Sequence, residues 1–117
     1  MATHSVSMQG IGEAFLTAKK GTTVTAGYPC GFSANDTVAN TAANGTFCGI
    51  AAQIRGTLVT VQYQGFVTLP YTGATAPSVG YGILVANGSG GVSTAQSGRS
   101  YLISAVDTSG KTVTFML

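Results

Sequence analysis

His4, Glu13, Asp36 and Asp107 are the side chains of this sequence best suited to act as a general base near neutral pH. Hydrolytic or group-transfer chemistry needs such a base, together with an activated nucleophile or a metal. His4 and Glu13 fall in the N-terminal segment, and chain ends stay mobile unless something ties them down. Asp36 follows Asn35, and Asp107 precedes Thr108-Ser109-Gly110. In such contexts Asp bonds the backbone of its own turn. No two carboxylates lie close in the sequence, and no Ser, His and Asp set can be drawn without His4. These residues predict no catalytic site.

Cys30 and Cys48 are too few for a zinc site, and His4 is too distant in the chain to be a convincing third ligand. Nor do two cysteines make a disulfide framework. Each precedes a glycine in an apolar context, Cys30-Gly31-Phe32 and Cys48-Gly49-Ile50, so both are expected to be small core residues rather than a required disulfide. Gly88-Ser89-Gly90-Gly91 has the glycines of a phosphate loop but lacks the lysine and the following helical pattern. It reads as a turn. The sequons at Asn35, Asn44 and Asn87 are what a chain rich in Asn, Gly and Thr produces by chance. No metal and no cofactor are expected.

The elements that would carry these residues are strands. Short β-branched runs are punctuated by glycine and Asn-Gly, the pattern of an all-β domain. Strands are expected over residues 22–26, 30–33, 37–41, 46–54, 81–86, 92–95, 100–106 and 111–117. Asn44-Gly45 reads as a type I′ turn. Over residues 57–69, Val59, Val61 and Tyr63 alternate with Thr60, Gln62 and Gln64, so one face is buried and the other polar. Gly65 interrupts that run, which predicts a kink or bulge that curls a small sheet toward a barrel. Residues 11–20 lack helical spacing and read as an extended arm or a first strand. The expected organisation is an N-terminal arm over residues 1–20, ordered only on a partner, and one small compact β-barrel or β-sandwich over residues 21–117.

The chain has 117 residues, 44% of them hydrophobic and 7% charged, with a net charge of +2. Soluble domains average about 25% charged residues. A surface of Thr, Ser, Asn, Gln and Gly can lie against other protein with little desolvation of charge. This predicts a component of an assembly. Lys19-Lys20 is the only basic pair, so no nucleic-acid partner is expected. No apolar run approaches the ~18 residues of a membrane span, and the first twenty residues lack a basic region followed by an apolar core, so no membrane contact and cytoplasmic synthesis are expected. Among five Tyr and five Phe, with no Trp, Phe47, Tyr63, Phe66 and Phe115 fall within expected strands and read as core. Tyr71 and Tyr81 bracket the 70–80 loop and could form a contact patch.

Certain segments stand in a recurring order: residues 27–35; Gly49-Ile50-Ala51-Ala52; the run from Val59 to Val67 with its Gly65-Phe66-Val67; Pro70-Tyr71-Thr72-Gly73 and the loop from Ala76 to Gly80; Leu84 to Val92; and Val106-Asp107-Thr108. In that order they resemble a family, the small β-barrel decoration (cement) proteins of tailed-bacteriophage heads. The similarity covers about residues 20–117 and rests on the order of turn motifs rather than on any one of them. It implies a virion structural protein without catalysis or cofactor, bound to the major capsid protein on the outer surface of the head, commonly as a homotrimer. A head-fibre or tail-tube subunit, and a secreted carbohydrate-binding module, are the alternatives. The expected contact residues are Phe15, Lys19, Lys20, Tyr71, Tyr81 and Asn87.

Overall fold

A computed structural model describes residues 12–117. The described chain is all-β, as the turn and strand chemistry predicts. Five strands, β1 (Ala14–Lys20), β2 (Pro29–Ala34), β3 (Thr37–Asn40), β4 (Gly49–Arg55) and β5 (Leu58–Gln64), form a closed barrel in the order β1-β3-β2-β4-β5. Five more, β6 (Phe66–Pro70), β7 (Gly80–Ala86), β8 (Val92–Thr94), β9 (Ser100–Asp107) and β10 (Thr112–Met116), form a second sheet in the order β6-β10-β9-β7-β8.

The boundary expected at residue 20 falls earlier. Ala14–Lys20 is a barrel strand, because alternation puts Leu16 and Ala18 inside against Val59 and Val61 while β5 supplies the backbone partners. Residues 1–11 of the arm expected over residues 1–20 lie outside the described residues. The barrel interior holds Ala18, Val24, Cys30, Val38, Ala51, Val59 and Val61, small side chains that suit the narrow lumen of five strands. Register shifts between Phe32 and Ala34 and between Ala51 and Gln53 are the bulges that bend the sheet to closure.

Residues 22–26 form no strand. Val24 packs into the barrel, but its neighbours are stitched by Asn40 instead of by a ladder. The Thr25 N–H donates to Asn40 Oδ1 at 3.0 Å, and the Asn40 N–H donates to the Thr23 carbonyl at 2.8 Å. The run over residues 57–69 is one alternating sequence serving two sheets. Gly65, at φ 101°, turns the chain out of the barrel after β5 and into the second sheet as β6. Tyr63, at the end of β5, and Phe66, at the start of β6, therefore stand at surfaces rather than in the core.

The strand expected over residues 46–54 begins only at Gly49, because Phe47 belongs to the other half of the molecule. Asn44-Gly45 closes no hairpin either. Only Asn44 has positive φ, 68°. The loop lies on β7 instead, with the Asn44 N–H donating to the Ala86 carbonyl at 2.8 Å and the Ala86 N–H to the Gly45 carbonyl at 3.0 Å. That delivers Phe47 into the second-sheet core beside Leu84, Tyr101, Ile103, Val113 and Phe115. The second sheet also curls onto itself. Tyr71, just beyond β6, bridges Val92 on β8, and the Thr72 N–H donates to the Val92 carbonyl at 3.0 Å.

Cys30 and Cys48 are both free thiols on neighbouring segments, the Cys48 N–H donating to the Cys30 carbonyl at 2.9 Å. Burial pushes the Cys30 thiol up to about 12, and burial also raises that of Cys48. The thiolate is the reactive form. In the folded chain Cys30 is expected to resist a maleimide at pH 7.5 at least about a hundredfold longer than an unfolded thiol. Mass spectrometry of a labelling time course checks this. Labelling of Cys30 at the unfolded rate would show that the barrel opens.

Candidate partner-contact surface

The outer face of the second sheet carries a row of large apolar side chains in direct cross-strand register. Phe66 on β6 opposes Met116 on β10, Met116 opposes Leu102 on β9, and Leu102 opposes Tyr81 on β7. Directly opposed residues share a face. Four strands at about 4.8 Å spacing make the row roughly 14 Å long. Tyr81 is 80% exposed and Met116 is 42% exposed. Val79, two residues before Tyr81, is exposed as well. The opposite face is core, with Tyr101, Ile103, Val113 and Phe115 buried.

The next row along the same face is polar. Thr68 and Thr114 face each other with their hydroxyls 2.8 Å apart, and Ser104 Oγ donates to the Thr114 carbonyl at 3.4 Å. Asp107 and Lys111 lie beyond, at the β9–β10 turn. Asp107 Oδ1 accepts the N–H groups of Ser109 and Gly110, each at 3.0 Å. The Gly110 hydrogen bond is the main reason its carboxyl titrates below the usual carboxylate range. The face thus passes from the apolar row to hydroxyl groups, of which that of Thr114, a residue 9% exposed, is largely covered. Such an arrangement can exclude water under a partner at one end while its rim stays wet.

The six expected contact residues do not come together. Tyr81 is in the apolar row. Tyr71 is 4% exposed and belongs to the second-sheet core, with the Lys111 ammonium 5.6 Å from its ring centroid, so it offers no contact surface and the patch expected from the Tyr71–Tyr81 pair does not form. Asn87 uses its side chain within the molecule, on its own loop and on Thr72 beyond β6. Its Oδ1 accepts the N–H groups of Ser89 and Gly91 at 2.8 and 3.0 Å, and its Nδ2 donates to Thr72 Oγ1 at 3.1 Å. Phe15, Lys19 and Lys20 are exposed on β1, on the barrel. There a groove of about 390 Å³ runs beside β1, lined by Leu16, Ala18, Phe32, Asp36 and Leu58 among others.

Leu102, Met116 and Phe66 escaped the sequence reading as contact residues. The signal that could have found two of them is broken alternation. Tyr101-Leu102-Ile103 within β9, and Phe115-Met116-Leu117 at and just past the end of β10, are consecutive apolar residues, which a half-exposed strand does not need. Among the described residues, no group of three or more His, Cys, Asp and Glu is placed to hold a metal ion. Neither a scan against protein-family models nor a search of curated proteins finds a match for this chain.

Proposed function

We propose that this chain is a non-enzymatic structural protein that binds the outer surface of a bacteriophage head and reinforces it, using the outer face of its second sheet. The observation that carries this reading is the Phe66–Met116–Leu102–Tyr81 row on a surface with few charges. The resemblance to head decoration proteins supplies the partner, the major capsid protein, and a trimeric arrangement. Aromatic and Met side chains are enriched at the cores of protein interfaces, and truncating one central anchor typically costs about 2 kcal/mol or more.

The test is co-sedimentation of the purified chain with undecorated heads. Tyr81→Ala is expected to weaken binding at least about tenfold, with the melting temperature unchanged because Tyr81 is largely exposed. Neutralising Arg55, which lies on the barrel, is expected to leave binding unchanged. Attachment by apolar and hydrogen-bonded contacts is expected to survive ~1 M salt, where the Debye length is about 3 Å. Binding that collapses with salt, or that ignores Tyr81→Ala, sinks the proposal. Retention on glycan beads but not on heads favours the carbohydrate-binding alternative.

A further inference from the structure

The two free thiols sit where β2 meets the start of β4. Cys30 pairs with Gly49 across that seam, and the Cys48 N–H donates to the Cys30 carbonyl at 2.9 Å. Two residues, Cys48 and Gly49, therefore oppose one, the arrangement of a β-bulge. In a regular ladder Cys48 would point to the face away from Cys30, and a bulge re-aims such a side chain. Its sulfur lies along β2, where it accepts the N–H of Phe32, two residues beyond Cys30. Residues joined by ladder hydrogen bonds have α-carbons about 5.5 Å apart, inside the roughly 4.4–6.8 Å that a disulfide spans. The thiols also act on each other. After burial, Cys48 is the second reason that the Cys30 thiol is raised.

The pair is asymmetric in the way that thiol–disulfide exchange uses. Cys48 is half-buried, whereas Cys30 is buried among the barrel side chains. Burial raises both thiols, but at Cys48 the Phe32 N–H and the Arg99 guanidinium work against it. Cys48 is thus the sulfur that a small reagent reaches first. Cys30 has no need to reach solvent, since its target is the sulfur beside it. Its thiolate is scarce at neutral pH, and two effects offset the scarcity. A thiolate of high pKa is the stronger nucleophile, and groups held side by side react as if highly concentrated.

We propose that Cys30 and Cys48 are a redox-closable pair, linked within one chain when a low-molecular-weight disulfide oxidises them. The Cys48 thiolate attacks one sulfur of the reagent, breaks its S–S bond and releases one reduced thiol. The Cys30 thiolate then attacks Cys48 Sγ, the second reduced thiol leaves, and the Cys30–Cys48 bond forms. Two electrons pass from the chain to the reagent, and the two protons given up by the cysteines end on the two released thiols. The bond encloses residues 31–47 and fastens Cys48, the neighbour of Phe47, to β2. Phe47 is buried in the second-sheet core, so the segment that joins the two halves becomes held covalently at its barrel end. The bond is an addition to a fold that stands without it.

Treating the folded full chain with oxidised glutathione tests this, independently of any capsid binding. Peptide mapping without reductant is expected to find a Cys30–Cys48 crosslink, with no glutathione retained and no dimer. The oxidised chain is expected to melt at least about 5 °C above the reduced one, and dithiothreitol to reverse the gain. Cys48→Ser is expected to take up no glutathione and to melt at one temperature with or without the reagent, since Cys30 alone is out of its reach. A folded chain that does not react, a lasting glutathione adduct on Cys48, a linked dimer, a crosslink that forms only in urea, a crosslink that fails to raise the melting temperature, or glutathione on Cys30 of Cys48→Ser each overturns the proposal.

Discussion

Replacing Phe47 with alanine is expected to lower the free energy of unfolding by about 3–5 kcal/mol, a large share of the 5–15 kcal/mol typical of a domain. Phe47 lies in the loop between two barrel strands, yet it is 1% exposed inside the second-sheet core. Its ring stacks on Tyr101 at 5.2 Å and 7°, and meets Phe115 edge-on at 6.1 Å and 70°. Tyr101 and Phe115 complete the triangle at 5.2 Å and 69°. The Tyr101 hydroxyl, buried, donates to the Phe47 carbonyl at 3.0 Å, and the Arg99 guanidinium lies 4.8 Å from the Tyr101 ring centroid. Burial raises the Tyr101 phenol above its ordinary value, so that donor stays protonated. One side chain and one backbone carbonyl from the barrel half are thereby fixed to the other half. Tyr101→Phe keeps the rings and removes the hydrogen bond, and is expected to cost about 1–3 kcal/mol for the buried carbonyl left without it. Urea titrations of both variants check the pair. A loss under about 1 kcal/mol for Phe47→Ala would mean the loop repacks and does not join the halves.

That joint marks the limit of what the sequence made legible. Local signals were reliable where the physics is local. Asp107 to Gly110 closes the last hairpin, with Asp107 capping the turn. Asn35-Asp36 turns β2 into β3, with Asp36 at φ 56°. Val59 and Val61 are buried as their alternation requires. What failed depended on partners far along the chain. Nothing near Phe47 says that its ring leaves the barrel. Gly65 announced a break, but its neighbours could not say that the break separates two sheets. Tyr71 and Tyr81 look equivalent at the ends of one loop. Tyr71 is buried because Val92 and Lys111 come to it, and Tyr81 is exposed because Leu102, its partner, faces outward. The apolar row draws its members from four strands between Phe66 and Met116, and only the register assembles it.

Register also makes Gly49 the least replaceable glycine of the barrel. It opens β4 opposite Cys30 of β2, and its α-carbon lies against β5. A Cβ there would collide with the Gln62 carbonyl oxygen and come within 2.8 Å of Val61 Cγ1. Both obstacles are fixed. Val61 fills the barrel interior, and Gln62 belongs to the β4–β5 ladder through its pairing with Ile50. Relief requires β4 to move away from β5, which breaks ladder hydrogen bonds and loosens the seam to β2. Gly49→Ala is therefore expected to cost at least about 2 kcal/mol, in the upper part of the range for overpacking. Gly82 on β7 is the control. Its new Cβ would meet only Ile103 Cδ1, at 3.1 Å, the far end of a side chain that can turn aside. Gly82→Ala is expected to change stability by less than about 1 kcal/mol, since alanine also removes backbone freedom from the unfolded chain. Parallel urea titrations decide between them. Equal losses in the two variants would mean that the β4–β5 ladder yields as easily as one isoleucine methyl, and that the close approach at Gly49 does not hold the barrel shut.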